Sequence, residues 1–179
     1  MPAVRPVALA TGRLDLLPLL PAHAAEMASV LADPALYAFT GGAPLGPEAL
    51  LARYERLCAG SPDPAVVWAN WVVRLRAGGG LVGTVQATLT PARDVAELAW
   101  VIGAPWQGRG FATEAARALA GWLSGLPVGR LVAHVHPGHA ASAAVAAACG
   151  LHPTPYRQDG EVRWEAGGGA GGEDAVRQR

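Results

Sequence analysis

Residues 96 to 123, AELAWVIGAPWQGRGFATEAARALAGWL, run from an apolar strand pattern into a glycine-containing turn and directly on into a helical pattern. That order of strand, turn and helix constrains the fold more than any other stretch, because it demands a sheet with helices packed against it. Gly108 and Gly110 accept backbone angles that side chains forbid, and they let amides approach a ligand closely. The N–H groups from about Arg109 to Thr113 then converge at a helix N-terminus, where the positive end of the dipole favours a pyrophosphate, and Arg109 adds a full charge. Tight turns before helices also need glycine for purely steric reasons, so this structural reading stands beside the phosphate one. The segment lacks the Gly-Lys-Ser/Thr ending of a Walker turn and the three-glycine spacing of a dinucleotide fingerprint, so neither ATP nor NAD is its natural ligand.

The rest of the chain supplies the other layers. Arg13 to Leu17 alternates charged and apolar residues as a half-buried strand does, and Pro18 and Pro21 precede an alanine-rich helical stretch to about Leu31. After a loop marked by Asp33-Pro34 and Gly41-Gly42-Ala43-Pro44, Pro47-Glu48 opens a second helix with Leu50, Leu51, Tyr54 and Leu57 at helical spacing. This helical pair is expected to cover one end of a sheet. Trp68 to Arg76, Leu81 to Leu89 and Val95 to Ile102 read as three strands with short connections, an antiparallel meander. Phe111 to Leu123 is a helix, Leu131 to His136 a strand, Ala140 to Cys149 a helix and Val162 to Trp164 a terminal strand, which adds a local parallel crossover. The fold class is mixed α/β: one domain over residues 11 to 165, a flexible N-terminal segment 1 to 10, and a Gly-rich flexible tail 166 to 179.

Charge and composition narrow the function. Fourteen basic side chains balance fourteen acidic ones, so no net field draws the chain to nucleic acid or to an anionic membrane. Without a secretory leader or a run of about 18 apolar residues, a cytoplasmic location is expected. Cys58 and Cys149 show neither disulfide nor metal-ligand spacing, and Cys149 reads as a small buried residue rather than a nucleophile. His134 and His136 point to one face of a strand, but two histidines without a further ligand indicate no metal site.

The motif QGRGFA, residues 107 to 112, resembles the Gln/Arg-x-x-Gly-x-Gly/Ala signature of the GNAT acyltransferase superfamily, and it sits between the expected strand and helix. TGRLDLLPL near the start, AELAWVIGAPWQGRGFATEA in the centre and VHPGHAAS ahead of CGL are similar to the Rim-type branch, which acetylates protein N-termini and related amines. Together these matches span about residues 11 to 165. The resemblance implies a twisted, mostly antiparallel mixed sheet flanked by helices, with a splay between two central strands that admits the pantetheine arm of acetyl-CoA. It implies backbone hydrogen bonds to pantetheine from Trp100, Val101 and Ile102. Gln107, Gly108, Arg109, Gly110, Ala112 and Thr113 would surround the phosphates, and no metal is implied. The acceptor would be an amine, either a protein N-terminus or a small molecule, and a homodimer is compatible with the family. A noncatalytic acetyl-CoA sensor is the rival reading.

Acetyl transfer needs a neutral nitrogen nucleophile, a polarised thioester carbonyl and a proton for the departing thiolate. Glu97, on the strand leading to the turn, is the acid/base candidate, with an ordinary solvent-facing carboxylate as the alternative; it shares a face with Ala99 and Val101, opposite Leu98, Trp100 and Ile102. Ser142 stands where the Rim-type pattern has a serine near the thioester sulfur, and its competing role is a helix-start hydrogen bond. His139 replaces the asparagine usual three residues before that serine, which opens the cofactor contact to an imidazole. Tyr37 and Phe39, in a glycine-containing loop, are the candidates for an acceptor wall, with Trp68, Trp71 and Trp106 divided between that wall and the core.

Overall fold

The structure, a computed structural model, describes residues 4–167. Among them one sheet of eight strands runs in the order β1-β2-β3-β4-β5-β6-β8-β7. The strands are β1 (Leu9–Ala10), β2 (Leu14–Pro18), β3 (Val67–Leu75), β4 (Leu81–Thr90), β5 (Val95–Ile102), β6 (Arg130–Val135), β7 (His152–Gln158) and β8 (Glu161–Gly167). The helices are α1 (Ala24–Val30), α2 (Pro47–Ala59), α3 (Phe111–Ser124) and α4 (Ala140–Ala148). Every strand pair is antiparallel except β5 with β6. The mixed sheet, the meander β3-β4-β5 and the parallel crossover through α3 are those that the sequence pattern demands.

Two apolar layers enclose the sheet. On one face α3 buries Phe111, Ala115, Leu119 and Leu123, a helical stripe, against Trp71, Leu98 and Ile102. Trp71 is fully buried, yet its indole satisfies its polar atom by donating to Val7 O at 2.7 Å. That bond and the pairing of β1 with β2 order residues just before Thr11, which the sequence reads as a loose end. On the other face α1 and α2 place Met27, Leu50 and Tyr54 against Val72 and Leu81. Leu51, expected on the apolar stripe of α2, is exposed instead. Of the Gly-rich tail expected from residue 166, Ala166 and Gly167 belong to β8, paired with β6, and residues 168–179 lie outside the described residues. Among the described residues no helix is long and apolar enough to cross a membrane.

β7 is an addition to the sequence reading. Its run HPTPYRQ holds two prolines, which argue against a strand, but β7 is the sheet edge and its register shifts between Pro153 and Arg157, where proline is tolerated. Asp159 and Gly160, both at positive φ, form the tight turn that reverses β7 into β8.

The feature that places the site is a parting of strands. β5 and β6 pair in register only at Val95↔Arg130, Ala96↔Leu131 and Glu97↔Val132. β5 nevertheless stays with β4 to Gly83↔Ile102, and β6 stays with β8 to Val135↔Val162. Each strand follows its outer neighbour, so a wedge opens between them beyond Glu97. The closed end is pinned by Asp94, whose carboxylate accepts from Gly129 N at 2.6 Å and whose carbonyl accepts from Arg130 N at 3.0 Å.

Gly83 lies where β4 holds the open end of β5. A Cβ there would stand 2.2 Å from Val101 O and 2.8 Å from the Ile102 side chain, and backbone cannot yield cheaply. Gly83→Ala is expected to lower stability by about 1–3 kcal/mol, read as a reduced denaturation midpoint; an unchanged midpoint would mean that β5 moves freely.

Candidate active site

A cleft of about 670 Å³ occupies the wedge. Trp100, Val101 and Ile102 of β5 line it, with Gln107, Gly108 and Gly110 of the turn, Ala112 and Thr113 of α3, and His139 and Ser142 at the start of α4. Leu36, Phe39 and Thr40 enter from the loop after α1, and His134 and His136 from β6 and its end. Among the sequence-derived candidates, Arg109, Glu97, Tyr37, Trp68 and Trp71 do not line it, whereas Trp106 does. Tyr37 donates its hydroxyl to Leu31 O at 3.0 Å and so ties its own loop to the end of α1.

The turn is shaped by two glycines at positive φ, Gly108 at 71° and Gly110 at 79°, with Gly110 as the N-cap of α3. The first bond of the helical ladder runs from Glu114 N to Gly110 O at 3.0 Å. The amides of Phe111, Ala112 and Thr113 precede that ladder, so they are available to an anion at the positive end of the helix. Gln107 is used internally: its side-chain amide donates to Ile102 O at 2.9 Å and closes the connection from β5 to the turn.

A clamp from the other end of the chain holds this turn, and sequence reading did not foresee it. Arg13 donates from Nε to Glu114 Oε2 at 2.7 Å, from its backbone N to Glu114 Oε1 at 2.9 Å and from Nη1 to Arg109 O at 3.0 Å. Its guanidinium lies 4.6 Å from the centre of the Phe111 ring. Thr11 Oγ1 donates to Glu114 Oε1 at 2.6 Å. Arg109 therefore contributes its carbonyl to the clamp, while its side chain is exposed outside the cleft wall.

Glu97 sits at the apex of the wedge, in the last β5–β6 pair. Its Oε1 is 2.8 Å from His134 Nδ1; the carboxylate side chain is 44% exposed and the imidazole only 9%. The Nε2 of His134 is buried and meets no hydrogen-bond partner. On the opposite wall α4 starts without a side-chain capping bond, and Ser142 lines the cleft. His139 stacks on Phe39 with ring centres 4.4 Å apart, and Phe39 also lies 5.1 Å from His136. Burial, helped by the neighbouring His136 charge, pushes the His139 pKa down, so its imidazole is neutral at neutral pH and can both donate and accept. Burial pushes the Cys149 thiol up to about 11 despite Arg117, which leaves it protonated and poorly nucleophilic.

The model of the acetyltransferase (GNAT) domain matches residues 13–152. No curated protein matches the chain. Among solved structures, a candidate ribosomal-protein-serine acetyltransferase from Vibrio cholerae aligns with a TM-score of 0.73 at 19% identity, over 92% of this chain and 99% of that one. RimL, a ribosomal L7/L12 alpha-N-protein acetyltransferase in complex with coenzyme A, gives 0.73 at 11% identity, over 90% and 98%. MccE, the microcin C7 self-immunity acetyltransferase in complex with acetyl-CoA and AMP, gives 0.72 at 15% identity, over 88% and 93%. At these identities the likeness is one of fold.

Glu114 makes the clamp sensitive to acid. Burial pushes its carboxyl up, but the hydrogen bonds from Thr11 and Arg13 and the Arg13 charge together outweigh that and hold its pKa below the ordinary value. A depressed carboxylate contributes stability in full above its unfolded pKa of about 4.3. That contribution is lost as pH falls through the lower folded value. Glu114→Gln is therefore expected to flatten the acid limb of stability against pH, measured by urea unfolding across that range, and an unaltered limb would show that the clamp carries no net charge energy.

Proposed function

The chain belongs to the GNAT acetyltransferase family, and from that premise we propose that it transfers acetyl from acetyl-CoA directly to a primary amine. The observation that carries the reading is the wedge between β5 and β6 opening beside a glycine turn at the N-terminus of α3. RimL and MccE, of the same fold, are complexed with coenzyme A and acetyl-CoA. The thioester supplies an activated acetyl carbon and a thiolate leaving group.

The chain's own groups fit each part of that donor. Beyond Glu97 the edge of β5 that faces β6 has no ladder partner, so the stretch Trp100 to Ile102 can offer backbone partners to the amides of pantetheine on that side, with Ile102 O already accepting from Gln107. The amides from Phe111 to Thr113 suit the pyrophosphate, and Gly110 leaves room for its approach. His139 presents a neutral imidazole where it can replace an amide contact. Ser142 is the group on the α4 side that can give a hydrogen bond to the departing thiolate. Proton removal from the arriving ammonium falls to the apex of the wedge, where the Glu97 carboxylate stands 2.8 Å from His134 Nδ1. With Cys149 protonated and outside the cleft wall, direct attack by the amine is favoured over an acyl-enzyme.

The acceptor enters past Leu36, Phe39 and Thr40. None of the described residues lining the cleft is an arginine, so an amine flanked by uncharged groups fits better than one carrying a carboxylate or phosphate. A protein N-terminus, in keeping with the Rim-type resemblance, meets that description, as does an uncharged small amine. The deciding experiment is a screen of N-terminal peptides and small amines with mass-spectrometric detection of the acetylated product. Acetyl-CoA binding without transfer across the whole panel would identify a sensor instead.

The cofactor assignment is tested separately. Gly110→Val puts a β-branched residue at a φ of 79° and against Arg13, where a Cβ alone would stand 3.4 Å from the guanidinium. Calorimetry is expected to show at least about tenfold weaker coenzyme A binding, the equivalent of roughly 1.4 kcal/mol, with the circular dichroism of the fold retained. Wild-type affinity in the folded variant would remove the turn from the cofactor site.

A further inference from the structure

We propose that Glu161 selects the acceptor, and that the amine taken by this cleft carries a second positive charge beyond the nitrogen that reacts; the proposal rests on the acetyl-transfer reading and narrows its acceptor. The wedge is a passage through the sheet, and its two faces differ. Leu98, Trp100 and Ile102 of β5 and Ala133 and Val135 of β6 turn toward α3 and α4, the side on which the glycine turn suits the phosphates of the donor. Val101 is level with Thr84 and Thr84 with Val72, against which α1 and α2 pack, so this second set of residues looks the other way. His134 alternates with Ala133 and Val135 and so belongs to the second face. On β8, Arg163 is level with His134 and Glu161 stands two residues along, on that same face. There Glu161 lines the cleft together with His136 and with Leu36 and Phe39 of the loop after α1. The donor and the acceptor thus approach from opposite faces, and Glu161 is on the acceptor's.

Four ionisable side chains line the cleft: His134, His136, His139 and Glu161. Three of them are engaged. His134 Nδ1 is 2.8 Å from Glu97 Oε1, His136 Nδ1 accepts from Gly138 N at 3.0 Å, and His139 is stacked on Phe39. The half-buried Glu161 side chain has no hydrogen bond or ion pair among the described residues. Arg163, the basic residue nearest along the strand, is paired with Glu165 instead, and neither lines the cleft. A carboxylate that has lost part of its water without gaining a counter-charge is unfavourable, and a cation on the ligand supplies the missing partner. The reacting nitrogen cannot serve, because it must be neutral to attack the thioester. A second ammonium or a guanidinium keeps its charge throughout, so its attraction to Glu161 is the same before and during transfer and acts on KM rather than on kcat. That chemistry is found in a peptide whose N-terminal residue is followed by arginine or lysine, and in an alkyl diamine.

Two matched pairs of ligands test the assignment on the whole protein saturated with coenzyme A. One pair is 1,4-diaminobutane and 4-amino-1-butanol; the other is a peptide beginning with serine and arginine and its counterpart beginning with serine and glutamine. Calorimetry is expected to show roughly tenfold tighter binding of the charged member in one pair, which identifies the source of the second cation. The preference should shrink several-fold between about 50 and about 500 mM salt, and it should fall to near one in Glu161→Gln. With acetyl-CoA the same ratio is expected in KM. Equal binding within both pairs, a preference indifferent to salt, or one that the folded Glu161→Gln variant retains would overturn the proposal; the first two need no variant. Binding requires no transfer, so a salt-sensitive preference without any acetylated product would count against acetyl transfer and leave the role of Glu161 standing. Acetylation of both members of each pair at equal KM would do the reverse.

Discussion

The site depends on two strands that begin as neighbours and end as members of different hydrogen-bonded pairs. β5 and β6 share three register positions and then separate, because β4 keeps one and β8 the other. Backbone groups along the inner edges beyond Glu97 and Val132 lose their ladder partners, and in a nearly apolar interior such groups need others. An extended ligand with amides of its own meets that need. The wedge is thus a cleft made by sheet topology before any side chain is considered. Asp94 sets where it begins, by bonding both Gly129 and Arg130 at the closed end.

The glycine turn before α3 is held from outside the crossover that contains it. Thr11 and Arg13 reach Glu114 from the hairpin formed by β1 and β2, and Arg13 also holds the carbonyl of Arg109. A turn with two glycines has more freedom than one without; the clamp removes that freedom and keeps the first α3 amides converged. The arrangement also makes use of Arg109 that its side-chain charge does not suggest, since the clamp engages its carbonyl. The opposite wall is less polar: Phe39 stacks on a neutral His139, and this aromatic contact joins the loop after α1 to the start of α4 across the cleft.

Local pattern made most of the fold readable. The meander, the turn before α3 and the alternation along β5 all depend on residues within a few positions of one another, and each appears where the sequence puts it. β7 was hidden by Pro153 and Pro155, although Asp159-Gly160 is a hairpin signal that could have revealed it. The contacts that escaped sequence reading are distant ones. Arg13 and Glu114 are separated by 101 positions and Glu97 and His134 by 37, and no periodicity joins such pairs. Tyr37 and Phe39 look equivalent in a glycine-bounded loop, yet one hydroxyl bond to Leu31 turns Tyr37 back onto its own helix while Phe39 faces the cleft.

Register explains why the Glu97–His134 contact exists at all. Glu97 is level with Val132 on the parallel neighbour, and His134 lies two residues further along, so it projects from the same face of the sheet. A slip of one residue in that short ladder would send the imidazole to the α4 side, among Ala133 and Val135, and leave Glu97 facing solvent alone. Three register positions are few to specify such a choice. The apolar residues at 133 and 135 reinforce it, since they bury against α4 and Leu151 only in the observed register. Packing on one face of β6 therefore fixes the Glu97–His134 contact on the other, at the point where the strands part.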